Sequence, residues 1–399
     1  MRVLQINANF GFGSTGLIVK DISDQIEKEG SEAFCAYQKT NTPVNNGYQI
    51  GNKFDWKLHA LFSRVFGRQG YYSYFSTKSF LKYIDKIKPD VIHLHNLHSN
   101  YININLLFKY IAKKDIPTVI TFHDCWFFTG KCFHYVDVSC DRYKTGCGKC
   151  PKKNAPPASL FFDFSSVVLK NKIKRLTAIP GLKIIGCSDW ICNEAKNSLL
   201  KDCNISRIYN GVDINVFCPK NTEVLRKELG VSDNFLVLGM ANKWFLDQNV
   251  SLIEKVKNLP NTKLMLVGCN ENQLQFLKEK YSEVIGIGFV KDREELAHYY
   301  SAADVFVNLT YADTLPTVNM ESICSGTPVI TYDSCGSPEL VDKDCGIIVK
   351  KGDTQGIIEA LINIKNKNFS KCYLKGQEKF DKNKCYKEYI NVYEEISNK

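Results

Sequence analysis

Short apolar segments alternate with amphipathic segments along nearly the whole chain. A first apolar strand at residues 2–7 is followed by Ile18, Ile22 and Ile26, which recur at the spacing of one helix face before Gly30 ends the helix. Val- and Ile-rich strands separated by helices are typical of parallel sheets that are covered on both faces. The other segments predicted to be buried strands are 90–95, 118–123, 182–188, 235–241, 263–268, 284–290, 305–310, 328–333 and 346–350.

The series of strands and helices begins again near residue 234, which predicts an α/β protein with two facing, doubly wound, Rossmann-like domains. We place the N-terminal domain at residues 1–215, the C-terminal domain at 216–373 and a last segment, with a helix over 374–397, at 374–399. The linker is expected within the Gly- and Pro-containing segment 210–221. Because open α/β sheets bind ligands at the carboxyl ends of their strands, we expect a deep interdomain cleft that holds the ligands.

The composition is that of an ordinary folded protein. Of 399 residues, 44% are apolar and 24% are charged, which argues against disorder and against a fibrous protein. We find no apolar run of the length that a transmembrane helix needs and no signal-peptide pattern at the start, so we expect a cytoplasmic protein. In that compartment the 16 cysteines, most of them isolated in apolar or helical stretches, are expected to be reduced.

The positive charge is concentrated in the first half of the chain. Up to residue 215 there are 29 Lys and Arg against 17 Asp and Glu, a surplus of 12, although the whole chain carries only +10. Solvated surface lysines explain such a surplus, and so does an anionic partner. The basic and aromatic segment 53–80 is either a helix packed on the first domain or a surface that rests on anionic lipid headgroups or receives a lipid-linked acceptor. No nucleic-acid-binding module accompanies the charge, so nucleic acid is not an expected partner.

Glycines follow the first strand at the place where a phosphate-binding turn would lie. Gly11, Gly13 and Gly16 stand between a strand and a helix, and glycines let backbone N–H groups approach an anion closely. The spacing does not match the dinucleotide fingerprint, because no acidic residue lies in the expected place about 20 positions further on. A tight turn without a ligand is the alternative interpretation.

The most informative stretch is residues 310–330, TYADTLPTVNMESICSGTPVI. Seven residues separate Asp313 from Glu321, and Pro316 opens the helix that carries Glu321. A carboxylate early on such a helix can hold a ribose, while free amides at the helix start hold phosphates. The residues whose amides would do so are Thr317, Val318 and Asn319.

This stretch resembles the Glu-x7-Glu motif of the retaining family 4 glycosyltransferases. Further landmarks match that family in order: Gly13-Ser-Thr-Gly16, Thr121-x-His123-Asp124, Ser188-x-Trp190, Asn210-Gly-Val-Asp213, Gly288-Phe-Val290, Ala303-Asp-Val305 and Gly336-Ser-Pro-Glu339. The resemblance implies the GT-B fold, with the last helix crossing back to the first domain. It also implies transfer of a sugar from a nucleotide-diphosphate sugar to a glycan hydroxyl, with retention of configuration and no catalytic metal.

The resemblance further implies a role for each matching residue. Glu321 would bind the ribose, the amides of residues 317–319 the diphosphate, and Asp313 the transferred sugar, with His123 beneath that sugar. The loop of Phe289 and Val290 would lie against the base, and the other substrate-binding residues would be Gly13, Ser14, Thr15, Gly16, Asn210 and Pro316. The acceptor would be a lipid-linked polysaccharide, O-antigen or capsule intermediate at the inner face of the cell membrane.

The sequence departs from the family where a cation should neutralise the leaving diphosphate. The usual Lys-Gly pair is replaced by Gln248 and Asn249, and Lys243 is the one cation nearby. Charge stabilisation of a leaving group is usually a large catalytic contribution. Three interpretations follow: Lys243 substitutes for the missing cation, or the enzyme is slow, or the chain has lost transfer activity and is a non-catalytic nucleotide-sugar-binding partner of an active glycosyltransferase.

A cysteine cluster interrupts the first domain in an insertion at residues 125–157. A terminal Cys-x2-Cys with two earlier cysteines has the ligand number of a closed, tetrahedral zinc site. The ligands would be Cys132, Cys140, Cys147 and Cys150, with His134 as an alternative ligand. Free thiols and disulfides are the other interpretations. No further cofactor is expected, since the nucleotide sugar is a co-substrate.

Overall fold

The computed structural model of the chain describes residues 1–397. They form two compact units, one made of Met1–Asn210 with the chain from Asn383 onward, the other of Gly211–Lys382. Each unit is built on one sheet whose strand pairs are all parallel in the described chain. The predicted α/β class with two Rossmann-like parallel-sheet domains is confirmed.

The first unit contains seven of the strands. They are β1 (Arg2–Phe10), β2 (Glu32–Thr40), β3 (Gly47–Gln49), β4 (Val91–Leu94), β5 (Thr118–Phe122), β6 (Lys183–Gly186) and β7 (Asn204–Arg207). Their order across the sheet is β3-β2-β1-β4-β5-β6-β7. The helices are α1 (Gly13–Lys28), α2 (Lys53–Phe66), α3 (Tyr74–Ile87), α4 (Ile104–Lys114), α5 (Ser165–Leu176), α6 (Asp189–Lys196) and, from the end of the chain, α15 (Lys382–Ser397).

Helices α1 and α15 contribute to one core of this unit. Ile18, Ile22 and Ile26 of α1 are buried in the same cluster as Tyr386 and Tyr389 of α15. Each buried isoleucine side chain contributes about 1.5–3 kcal/mol relative to its exposed state. The helical spacing of the three isoleucines thus marks the face that α1 turns to the core.

The second unit repeats the plan with six strands. They are β8 (Phe235–Met240), β9 (Thr262–Val267), β10 (Ile285–Ile287), β11 (Val305–Asn308), β12 (Val329–Asp333) and β13 (Gly346–Lys350), in the order β10-β9-β8-β11-β12-β13. The helices are α7 (Glu223–Glu228), α8 (Ala241–Trp244), α9 (Ser251–Lys257), α10 (Glu271–Lys280), α11 (Arg293–Ala302), α12 (Thr317–Cys324), α13 (Thr354–Ile364) and α14 (Cys372–Phe380). Within residues 1–397, no helix is both long enough and apolar enough to cross a bilayer.

Every strand predicted from the apolar pattern is present, with ends shifted by up to three residues. Three strands escaped prediction: β2, which has few β-branched residues, and β3 and β7, which are short and form the two edges of the first sheet. The predicted single helix at 374–397 is in fact two, since α14 ends at Phe380 in the second unit and α15 belongs to the first. Residues 398 and 399 of the predicted last segment lie outside the described residues.

Buried lysines hold the cysteine-rich insertion in place. Lys131 Nζ donates hydrogen bonds to three backbone carbonyls at the far end of the insertion, those of Lys152 (2.8 Å), Lys153 (2.6 Å) and Ala155 (3.1 Å). Lys172, on α5, donates to the carbonyls of Trp126 and Thr129 at the beginning of the insertion. Each ammonium group thus joins carbonyls of an irregular segment, and those of Lys152 and Lys153 also accept from the amides of Ala155 (3.1 Å) and Ser159 (2.8 Å).

Candidate functional site

The order of the strands places a ligand-binding position in each unit. The chain reverses its direction of winding between β1 and β4 in the first sheet and between β8 and β11 in the second. Ligands of open α/β sheets bind beside the carboxyl ends of the strands at such switch points. His95 directly follows β4 and His123 follows β5, while Lys243 and Asp313 follow β8 and β11.

In the second unit, Glu321 is a buried carboxylate with two polar partners. Its Oε2 accepts a hydrogen bond from the Tyr300 hydroxyl at 3.3 Å, and its Oε1 lies 3.5 Å from Nη2 of Arg293. Burial raises the pKa of Glu321 to about 7, and the Arg293 charge and the Tyr300 hydrogen bond oppose part of that shift. A carboxylate held in this way has acceptor capacity left for the hydroxyl groups of a ligand.

The helix that carries Glu321 begins as predicted but offers fewer amides. Pro316 is the N-cap of α12, and Thr317 and Val318 are its first two residues, whose N–H groups have no carbonyl within the helix to bind. The Asn319 amide, which we expected to be free, donates instead to the Pro316 carbonyl at 3.1 Å. Its side-chain oxygen accepts from Asn308 Nδ2 at 2.7 Å, and its buried Nδ2 has no partner within residues 1–397.

The segment after β8 differs from its sequence-based interpretation at one residue. Asn249, aligned with part of the usual Lys-Gly pair, is fully buried, and its Nδ2 donates to the carbonyl of Lys243 at 2.7 Å. Its Oδ1 accepts from the Tyr311 hydroxyl at 3.3 Å. Asn249 therefore shapes the turn after α8 and is not available to a diphosphate, whereas Lys243 is partly exposed.

Two other predicted residues lie on turns of the second unit. The Asp313 side chain accepts from the Leu315 amide at 3.1 Å, and the Asp313 carbonyl accepts from the Gly336 amide at 3.2 Å. These bonds join two predicted motifs, 313–321 and 336–339. Phe289 is 78% exposed, and its neighbour Val290 is partly exposed. An exposed ring of this kind can stack on a planar ligand.

In the first unit, His123 is part of a buried hydrogen-bonded series. Its Nε2 lies 3.0 Å from Nδ1 of His95, and Nε2 of His95 lies 3.1 Å from Oε1 of Gln5. Burial lowers the pKa of His123 to about 4, so the ring is neutral at pH 7. Its Nδ1 is buried and has no hydrogen-bond partner in the described chain.

The predicted glycine loop is shorter than expected, because α1 already begins at Gly13 and includes Ser14 and Thr15 in its first turn. A Cβ atom on Gly16 would lie 3.2 Å from the Asn9 carbonyl oxygen, so the lack of a side chain lets α1 pack closely on the end of β1. Asn210, the last residue of this part of the first unit, is buried.

The four cysteines predicted as zinc ligands line a single small cavity of about 20 Å³. A hydrogen bond with the thiol of Cys132 lowers the pKa of Cys150 to about 6 and raises that of Cys132. None of the 16 cysteines, all of which lie within residues 1–397, forms a disulfide bond. Within residues 1–397, no three His, Cys, Asp or Glu side chains are grouped as metal ligands. The zinc site stays a prediction.

Sequence reasoning missed the partners of the two central side chains. Arg293 and Tyr300 lie 28 and 21 residues from Glu321 in the chain, and Gln5 lies 90 residues from His95. For Arg293 there was a signal, since it opens the helix that follows the predicted loop of Phe289. Gln5 carried a weaker signal, as a polar residue between Leu4 and Ile6 in the first strand.

Comparisons with known proteins agree with this architecture. The family "Glycosyltransferase Family 4" matches residues 19–216, and "Glycosyl transferases group 1" matches residues 234–367. The colanic acid biosynthesis glycosyl transferase WcaC of Escherichia coli is 24% identical over 329 residues, 77% of each chain. The alpha-monoglucosyldiacylglycerol synthase of Acholeplasma laidlawii is 25% identical over 305 residues, 72% of this chain and 69% of that one.

A solved structure shows the same fold. Alr3699/HepE of Anabaena, crystallised in complex with UDP, superposes with a TM-score of 0.66 at 16% identity, over 99% of this chain and 100% of that one. The two family matches together extend over most of both units and include His123, Lys243, Asp313 and Glu321, whereas the glycines at 11–16 precede the first match. The chain therefore belongs to the group 1, family 4 glycosyltransferases, which are retaining nucleotide-sugar enzymes with the GT-B fold.

Proposed function

We propose that this glycosyltransferase moves a hexose from a nucleotide-diphosphate sugar to a hydroxyl group of a lipid-linked glycan during the assembly of a surface polysaccharide. The bond between the anomeric carbon and the diphosphate oxygen breaks, a bond to the acceptor oxygen forms, and the acceptor proton is released with the nucleoside diphosphate. The observation that carries the donor-binding part of the proposal is the buried Glu321 on a helix whose first amides have no partner within the helix. The polysaccharide half rests on the relative WcaC, which acts in colanic acid biosynthesis.

The candidate residues of the second unit together hold the donor. Glu321 accepts the ribose hydroxyls, the amides of Thr317 and Val318 bind diphosphate oxygens at the positive end of α12, and Phe289 lies against the base. Asp313 contacts the hydroxyls of the transferred sugar. UDP is the first nucleotide to test, because the structural neighbour from Anabaena was crystallised with UDP.

The leaving diphosphate is stabilised by Lys243 together with the helix amides. Lys243 lies just after β8, at the second switch point, and is partly exposed, so its ammonium group is open to an anion. Loss of one charge-stabilising group typically costs a factor of about 100 to 1,000 in turnover. Lys243→Ala should therefore lower kcat strongly while the affinity for the donor changes less.

We further propose that the first unit rests on an anionic membrane surface through α2. The polarity of this helix is the reverse of the usual one. It buries the polar His59 and Ser63, while the apolar Phe54, Leu58 and Leu61 are exposed. His59 is held by the Ser73 hydroxyl at 2.8 Å and by the Gly70 amide at 3.1 Å, which fixes the orientation of α2.

The apolar surface continues beyond α2. Phe66 at its end stacks on Phe162 with the ring centroids 6.0 Å apart, and Phe161 and Phe75 are 68% and 82% exposed. Exposed lysines, among them Lys53, Lys57 and Lys78, lie on α2 and α3. An apolar surface with nearby basic residues suits the interface of anionic lipids, where a lipid-linked acceptor would be found.

The donor half is tested by measuring binding and diphosphate release with UDP-, GDP-, ADP- and dTDP-sugars. We expect one nucleotide to bind, and Glu321→Ala to abolish both binding and release. Glu359→Ala removes an exposed carboxylate of α13 and serves as the control with normal activity. If no nucleotide sugar binds to the folded protein, the proposal fails. Binding of a nucleotide sugar without release of its nucleoside diphosphate, whichever acceptor is added, would favour the partner-subunit alternative.

The membrane half is tested by flotation with vesicles of phosphatidylcholine alone and with added phosphatidylglycerol. The chain should bind the anionic vesicles and release them at high salt. Phe54→Asp combined with Phe75→Asp should abolish binding, whereas Val224→Asp, an exposed apolar position in the second unit, should not. Equal binding by the double variant would show that α2 and α3 do not form the membrane contact.

A further inference from the structure

The buried side chains of Gln5, His95 and His123 form a series with one arrangement of hydrogens in which every contact pairs a donor with an acceptor. Its first member is fully buried Gln5 on β1. The amide nitrogen of Gln5 lies 3.0 Å from the Val19 carbonyl oxygen and 2.7 Å from Oγ of Ser23. A carbonyl oxygen cannot donate, so the amide nitrogen must face Val19 and Oε1 must point the other way.

The orientation of Gln5 determines the tautomer of His95. Oε1 of Gln5 lies 3.1 Å from Nε2 of His95 and can only accept, so Nε2 carries the hydrogen. His95 is fully buried, which keeps its pKa well below the ordinary value and its ring neutral. The other nitrogen, Nδ1, is therefore an acceptor.

The same argument passes to His123. Nδ1 of His95 lies 3.0 Å from Nε2 of His123, so Nε2 of His123 donates. In a neutral imidazole the remaining nitrogen then has a lone pair and no hydrogen. That nitrogen, Nδ1 of His123, is the buried atom without a partner in the described chain.

We propose that Gln5 and His95 are positioning residues that hold His123 in the tautomer with an unprotonated Nδ1, so that this nitrogen accepts a hydrogen bond from a ligand hydroxyl. The inference rests on the proposed function, in which the ligand is a sugar. It assigns the ring of His123 to hydroxyl recognition and not to neutralising a phosphate, since this tautomer presents no N–H group to an anion. An unpaired buried acceptor is costly in a folded protein, and a ligand hydroxyl removes that cost.

The reverse tautomer is excluded by each step of the series. With hydrogen on Nδ1 of His123, His95 would have to present a bare Nε2 to Oε1 of Gln5 at 3.1 Å. Turning the Gln5 amide over would relieve that contact but place Oε1 3.0 Å from the Val19 carbonyl oxygen. Either arrangement sets two lone pairs against each other in a buried site.

The test is the nitrogen spectrum of the full-length chain labelled with ¹⁵N-histidine. The His123 signals, identified by their loss in His123→Asn, should show a protonated Nε2 and a bare Nδ1. A protonated Nδ1 in the unmodified protein overturns the proposal, whatever the variants do. Addition of UDP-glucose should shift the Nδ1 signal more than UDP does; binding of UDP-glucose without such a shift also overturns it.

Variants separate positioning from general stability. Gln5→Leu should leave a mixture of His123 tautomers and lower kcat/KM about tenfold, the effect of one ordinary hydrogen bond. Ser23→Ala leaves the Val19 carbonyl in place and should keep the single tautomer, as should the control Gln25→Leu, a buried glutamine of α1 outside the series. A single bare-Nδ1 tautomer in folded Gln5→Leu would contradict the role of Gln5. Failure of every nucleotide sugar to bind would count against the proposed function. The tautomer of His123 in the free protein would still test whether Gln5 and His95 position its ring.

Discussion

The hydroxyl group of Tyr393 lies 2.6 Å from Nδ1 of His93, although 300 residues separate them. Helix α15 is thereby hydrogen-bonded to strand β4 in the middle of the first sheet. A second bond of the same kind joins the Tyr389 hydroxyl to Oγ1 of Thr121 at 2.9 Å, and Thr121 also contacts Nε2 of His93 at 2.8 Å. The end of the chain thus completes the polar interior beneath the candidate site.

Removing one hydroxyl group from this interior should destabilise the first unit. In Tyr393→Phe the buried nitrogen of His93 loses its partner, which we expect to cost about 1–3 kcal/mol. Calorimetry should show a lower unfolding temperature for the transition of the first unit. Tyr74→Phe, at an exposed tyrosine of the same unit, is the control that should leave it unchanged. An unchanged transition in Tyr393→Phe would mean that the bond contributes little.

The residues around His93 also show what the sequence can reveal. The apolar pattern predicts a strand at 90–95, and side chains two residues apart in a strand lie on the same side of the sheet. His93 and His95 therefore lie on one side, and their rings are 3.9 Å apart. Their partners could not be predicted, because Gln5, His123 and Tyr393 reach them only through the order of the strands and the packing of α15. Local periodicity determines a strand, whereas a buried polar contact depends on neighbours that are distant in sequence.

The candidate donor site shows the same division. The helix start at Pro316 could be predicted, because proline favours the start of a helix, whereas the burial of Glu321 between Met320 and Ser322 could not. The bond from Asn319 to the Pro316 carbonyl could not, since it depends on how tightly the first turn closes. Nor could the contact with Arg293, which the turn after β10 brings to Glu321.

The affinity for the donor should depend on pH through Glu321. Its pKa of about 7 means that the carboxyl group is protonated below neutrality and then accepts hydrogen bonds poorly from ribose hydroxyls. The dissociation constant for UDP-glucose, measured by calorimetry from about pH 5.5 to 8.5, should rise as the pH falls through 7.

Arg293→Met provides the sharper form of this test. The Arg293 charge lowers the pKa of Glu321, so its removal should move the inflection of donor affinity to a higher pH. Lys291→Met, an exposed cation two residues away, is the matched control and should keep the inflection near 7. A dissociation constant that stays flat across this range would indicate that Glu321 does not bind the donor in its charged form.

The same residue should make the chain less stable at high pH. The pKa of Glu321 is raised on folding, so its favourable contribution is complete below about 4.5 and is lost as the pH rises through about 7. Glu321→Gln should therefore increase the free energy of unfolding at pH 8 by about 1–3 kcal/mol and have little effect at pH 5. Urea unfolding of the two proteins at both pH values measures this, and equal gains at the two pH values would contradict the assignment.

Zinc content tests the cysteine cluster. The thiols of Cys132, Cys140, Cys147 and Cys150 line one small cavity, and a metal would draw the sulfur atoms together into a tetrahedral site. We predict about one zinc ion per chain in protein purified without chelators, by elemental analysis, and its loss in Cys132→Ser and Cys150→Ser. Cys203→Ser, at a partly exposed cysteine outside the insertion, should retain the metal. Absence of zinc after refolding with zinc present would show that the cluster consists of free thiols.

Lys131 should be needed to keep the insertion folded even if zinc is bound. Its ammonium group donates to three carbonyls between residues 152 and 155. The carbonyls of Lys152 and Lys153 also accept from backbone amides, so replacing Lys131 by methionine takes the ammonium donor from the Ala155 carbonyl and removes the contact that joins all three. Limited proteolysis of Lys131→Met should cleave the insertion faster than in the parent chain, at a rate that reflects local opening. Lys144→Met, at an exposed lysine of the same insertion, should be cleaved at the parental rate. The carbonyls bind the ammonium group and not the cysteines, so adding zinc should not restore the resistance of Lys131→Met to proteolysis. Full protection by zinc would mean that the metal, and not Lys131, keeps the insertion folded.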